Sequence, residues 1–105
     1  MEKETLMKLR KVVKRKCKIT WNDADTEQRV TEIVENAEQA LRHKIGMGDV
    51  APEVFLKPGM TRTLFENYCM YDWNNMLEEF ELNYKRELLA ERHKYEVKHA
   101  KKEDE

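Results

Sequence analysis

The chain predicts an all-α fold: a small bundle of three to four helices with one long loop and an extended C-terminal helix or arm. Three observations carry that expectation. Of 105 residues, 39% are charged and only three are Gly and two Pro; Leu, Glu, Lys and Met dominate the rest, and such straight-chain residues lose little rotamer freedom in a helix. Apolar residues recur at steps of three and four, the period of one helical face. Both prolines and all three glycines fall within residues 46–60, so the punctuation is confined to one loop. This length suits one core. We divide it into a helical domain, 1–84, and a C-terminal helical arm with a charged tail, 85–105.

The first helix is expected over about Glu2 to Lys18, with Leu6, Leu9, Val13 and Cys17 as its apolar stripe and Lys and Arg over the opposite face. Residues 1–18 hold eight basic and two acidic side chains, although the whole chain has a net charge of −1. Such a helix is either an ordinary packed one with a solvated cationic face or one that meets an anionic partner, nucleic acid or the acidic face of an identical neighbour. The stripe has no large aromatic anchor, which argues against a membrane-surface helix.

A turn rich in capping residues follows, Ile19 to Asp25. Asp25 with Gln28 forms one possible capping box, and Asp23 before Thr26 offers a competing start. The second helix is expected from about Thr26 to Ile45, with Val30, Ile33, Val34, Ala37, Leu41 and Ile45 facing inward and Gly46 as its stop. Residues 46–60 make a loop long for a small domain. Its apolar residues (Met47, Val50, Val54, Phe55, Leu56) cap the core or meet a partner, and the sequence leaves the two open.

From Thr61 to Leu89 the apolar pattern is densest. Leu64, Phe65, Tyr68, Cys69, Trp73, Met76, Leu77 and Phe80 draw one stripe, predicting an uninterrupted helix with Thr61 or Thr63 as its cap and Trp73 as its large core anchor. The stripe loses register near Glu81–Tyr84, where a kink is expected with Asn83 capping a last helix. That helix should begin near Lys85 and fade past Tyr95 into a charged tail.

Catalytic patterns are missing from the sequence. There is no Gly-rich phosphate loop and no serine, the three histidines show no ligand spacing, and Cys17 and Cys69 give no zinc pattern. We expect no enzyme, no cofactor and no metal, two reduced thiols, and no membrane span, since no apolar run approaches the ~18 residues required. Glu78, Glu79 and Glu81 crowd a helix surface, either solvated or in a subunit contact. Tyr68, Tyr71, Trp73 and Phe80 are interleaved with acidic residues, which favours core packing over base stacking.

The run from Leu64 to Leu89, reading N-Y-C-M-Y, then D-W-N-N-M-L-E-E-F-E, then N-Y-K-R-E-L-L, resembles the head–tail connector (adaptor, or head-completion) proteins of long-tailed bacteriophages. The stretch T-W-N-D-A-D, Thr20 to Asp25, is similar to that family's lead into its second helix. The resemblance covers about Lys8 to Tyr95. It implies a homo-oligomeric, typically dodecameric ring in the virion neck, assembled in the bacterial host cytoplasm. The ring sits between the portal protein and a stopper or tail-completion protein, and genomic DNA passes through its channel without sequence-specific binding. A head-to-tail ring needs two different complementary surfaces. The residues expected at subunit or portal contacts are Lys8, Lys11, Lys14 and Arg15 of the first helix; Phe55 of the loop; Tyr71, Glu78, Glu79 and Tyr84; and Lys85, Arg86, Arg92 and Tyr95 of the arm. The competing expectation is a small helical nucleic-acid-binding protein that uses its basic first helix on phosphates.

Overall fold

The computed structural model describes the backbone of residues 1–104 and the side chains of residues 1–100. It is all-helical, in the order α1 (Lys3–Lys16), α2 (Ala24–Lys44), a 3-10 turn at Pro52–Leu56, α3 (Met60–Trp73), α4 (Leu77–Asn83) and α5 (Lys85–Asp104). The expected long third helix is divided in two, and the last helix runs past Tyr95 to Asp104. The side chains of the expected tail beyond residue 100 lie outside the described residues.

Helix α2 starts where Asp23, and not Asp25, accepts the backbone N–H of Thr26 at 2.8 Å. Thr26 then donates its hydroxyl to Asp23 at 3.0 Å and accepts from Trp21 Nε1 at 2.9 Å, so Trp21 braces the cap. Three helices end by one device, a Schellman turn with its central residue left-handed. Lys18, Gly46 and Asn75 hold that position at φ of 58°, 61° and 59°. In each turn the next amide returns to the helix: Ile19 to Lys14, Met47 to Arg42, and Met76 to Tyr71. The turn at Asn75 explains the break that the apolar stripe did not reveal. Asn adopts left-handed backbone at low cost, and Asn74 Nδ2 caps the Met70 carbonyl at 2.8 Å. Neither Thr caps α3. Gly59, at φ 148° in a region open essentially to glycine, precedes the helix.

The core gathers Leu9 and Val13 from α1, Val30, Val34, Ala37 and Leu41 from α2, and Leu64, Phe65 and Cys69 from α3, all fully buried. The loop closes over it. Ile45, Met47 and Phe55 are also fully buried, and Phe55 meets Phe65 at 4.9 Å between ring centroids. Of the two roles left open for the loop, its apolar residues take the capping one. Arg42 holds it there, donating to the carbonyls of Gly48 (2.7 Å) and Val50 (2.6 Å) while paired with Glu38. Helix α5 packs against α3 and α4 through Leu88, Glu91 and Tyr95.

Trp73 is not a core anchor. With α3 ending at Trp73, its ring lies half-buried at the edge of the bundle under the Arg29 guanidinium, 4.2 Å from the centroid. Arg29 also donates to the Trp73 carbonyl at 2.6 Å, and Trp21 lies 6.3 Å away. Cys17 and Cys69 are free thiols. Burial first, and then neighbouring Cys17, pushes the Cys69 thiol well above its ordinary value, as suits a small packing side chain.

Candidate interaction surface

The expected contact residues separate into three groups. Phe55 and Tyr95 belong to the core. Phe55 is fully buried and Tyr95 is 3% exposed, so neither is available to a partner. Phe55 fills the gap between the loop and α3. The Tyr95 hydroxyl lies 3.0 Å from Thr61 Oγ1, which itself donates to the Glu91 carboxylate at 2.7 Å. With the Thr61 proton committed to Glu91, the Tyr95 hydroxyl is the donor to Thr61.

The second group is the basic face of α1. Lys14 does not wait for a neighbour: it pairs with Glu27 of α2, as does Arg10. Part of the charge complementarity expected between subunits is therefore used inside this one, clamping α1 onto α2. Lys8 pairs loosely with Glu4 at 3.3 Å, an exposed i,i+4 contact worth little. Lys11 and Arg15 are exposed and, among the described residues, have no acidic partner.

The third group converges. Tyr71, Glu78, Glu79, Tyr84, Lys85, Arg86 and Arg92 surround the elbow where α4 turns into α5. Aromatic packing sets its shape. Tyr68 and Tyr71 meet Phe80 edge-on at 5.1 and 5.7 Å, and Tyr84 stacks on Phe80 at 4.9 Å. Such pairs contribute about 1 kcal/mol each beyond area burial. Asn83 donates to the Tyr71 hydroxyl at 3.0 Å instead of capping α5. Burial, then Tyr71, raises the Tyr84 phenol above its ordinary value, so it stays a neutral packing group. Lys44 pairs with Glu81 and ties the end of α2 to α4.

Two leucines stand proud of this elbow. Leu82 is 79% exposed and Leu89 is 58% exposed. They border an open groove of about 610 Å³ whose walls include His43, Lys44, Lys85 and Arg92, with Leu88 at its base. Exposed leucines beside cations form a surface suited to protein contact. The sequence signal for it was the loss of register after Phe80: Leu82 and Leu89 fall off the core stripe because they face outward. Glu78 and Glu79 are exposed on the adjoining turn of α4.

Among the described residues no group of three His, Cys, Asp or Glu is placed to hold a metal ion, and no helix is long and apolar enough to cross a membrane. Comparison with protein-family models, with curated proteins and with solved structures finds no match for this chain.

Proposed function

We propose that this chain is a structural ring subunit of a phage neck, lying between the portal and the tail or stopper and passing DNA through the ring's channel. The observation that carries the reading is the elbow. A subunit with a closed core nonetheless presents Leu82 and Leu89 to solvent beside Lys85, Arg86 and Arg92, an arrangement suited to a protein partner. The resemblance of residues 64–89 to the connector family supports it, because the elbow is built from that run.

A second reading, phosphate binding by α1, draws on the free exposed cations Lys11 and Arg15. Mass measurement with and without a phage portal ring, beside a duplex-DNA shift assay, separates the two. The connector reading expects a multi-subunit shell of 12.7 kDa units on the portal and little DNA affinity. A monomer that ignores the portal but shifts duplex at physiological salt, with affinity falling steeply as salt is added, overturns it.

A further inference from the structure

The two flanks of α2 differ in charge. On one flank lies the elbow groove, lined by Lys44, Lys85, Arg86 and Arg92 with Glu81 and Glu87. Lys44 is paired with Glu81 and Arg92 with Glu96, which among the described residues leaves Lys85 and Arg86 unpaired where Leu82 and Leu89 protrude. On the other flank the ends of α1 and the loop meet α2 around Glu2, Glu35, Glu38 and Glu53, with Leu6, Ala51 and Pro52 between them. Met1 lines both parts of that side. Among the described residues its cations are Arg42, which is paired with Glu38, and Lys8 and Lys57, which after the backbone and Thr5 hydrogen bonds help to hold the Glu53 carboxyl below its ordinary value. Two of its carboxylates are locked in place: Glu38 by Arg42, and Glu53 by the Thr5 hydroxyl at 2.8 Å. Glu2 and Glu35 are exposed and, among the described residues, have no cationic partner.

We propose that these flanks are the two halves of one head-to-tail contact, the basic leucine-bearing elbow of one copy seating on the acidic flank of the next; this rests on the ring reading above. Three features support it. The surfaces are opposite in charge, and each carries apolar residues among its charges, as a contact core with a polar rim requires. They share no lining residue, one touching α2 at His43 and Lys44 and the other at Glu35, Glu38 and Gln39, so each copy can be held at both at once, the condition for a ring or filament. A two-fold pairing of elbow grooves would instead bring the unpaired Lys85 and Arg86 of both copies together and is disfavoured for that reason. The contact assigns roles to Lys85, Arg86 and Arg92 and leaves Lys11 and Arg15 outside it.

Charge reversal tests the pairing. One variant carries Lys85→Glu and Arg92→Glu, the other Glu2→Lys and Glu35→Lys; all four side chains are exposed, and circular dichroism checks the fold. Sedimentation up to about 1 mM chain reads association, which at that concentration detects contacts of about 4 kcal/mol. Each variant alone is expected to associate at least about tenfold more weakly than the native chain, and an equimolar mixture to recover it, because the reversed flanks match each other. In a Cys17→Ala background, Leu89→Cys is expected to cross-link to Ala51→Cys of another copy. Association that ignores the reversals, or Leu89→Cys cross-linking to itself, overturns this pairing and leaves the ring reading standing. A native chain that stays monomeric at about 1 mM and on a portal ring overturns both.

Discussion

Thr61 Oγ1 donates to the Glu91 carboxylate across 2.7 Å, joining the first turn of α3 to the middle of α5. Glu91 is 5% exposed, and its other partner is Lys94 at 3.1 Å on the same helix. The contact matters because α5 is otherwise held by few buried side chains, chiefly Leu88 and Tyr95. Thr61→Val keeps the shape but removes both the donor to Glu91 and the acceptor for Tyr95. We expect a loss of about 1–3 kcal/mol, the cost of buried polar groups left without partners. Hydrogen exchange should show the added opening concentrated in α5, with α1 and α2 protected as before.

Arg42 acts as a pin for the loop. Its guanidinium bonds Glu38 and two loop carbonyls, so Arg42→Ala should lower stability by about 2 kcal/mol and loosen the segment that covers Met47 and Phe55. Arg42→Lys should recover only part of the loss, since one ammonium cannot span the fork. Chemical denaturation of the three proteins measures both differences.

Lys18 occupies a left-handed position where α2 uses Gly46 and α3 uses Asn75. A side chain there carries a steric cost of about 1–2 kcal/mol, partly offset in Lys18→Gly by the greater freedom of glycine in the unfolded chain. A gain of about 0.5–1 kcal/mol is expected. The same change at Lys16, inside α1, should destabilise the chain.

Asp72 lies in the last turn of α3, and its carboxyl pKa is raised by burial, with Arg29 opposing in part. A carboxyl with a raised folded pKa binds its proton more tightly folded than unfolded. The charged form therefore carries a penalty that grows as pH rises through the unfolded value and levels off above the folded one. Asp72→Asn should raise the melting temperature at pH 7, and the advantage should vanish near pH 3. Asp23 behaves oppositely. Its pKa is lowered, chiefly by the Thr26 backbone N–H, so its cap supports folding at neutral pH and is lost as pH falls through the folded value. A thermal series against pH for the native chain and Asp72→Asn separates the two contributions.

Much of the fold was legible along the chain, because helix periodicity and capping are local. The inward positions of α1 and α2 and the stop at Gly46 follow from spacing and residue type alone. The elbow was legible only as an irregularity. Leu82 and Leu89 broke the stripe, and the reason, that they face outward, needed the turn of the chain at Asn75 and Tyr84 to be known.

By itself, then, the sequence determined the first two helices, their inward faces and the concentration of breakers in one loop, since each depends on residues within a turn or two of one another, whereas the division of the third helix at Asn75 did not show in its stripe. The tertiary structure alone decided which side chains are spent inside the subunit and which remain for partners. Glu27 takes up Arg10 and Lys14, Phe55 and Tyr95 are enclosed, Trp73 is moved to the edge, Arg92 pairs with Glu96, and, among the described residues, Lys85 and Arg86 stay free beside two exposed leucines. Those outcomes depend on how helices cross and where α3 stops. A pairing between elements seventeen or thirty residues apart, such as Arg10 with Glu27 or Thr61 with Glu91, leaves no periodic trace in the sequence.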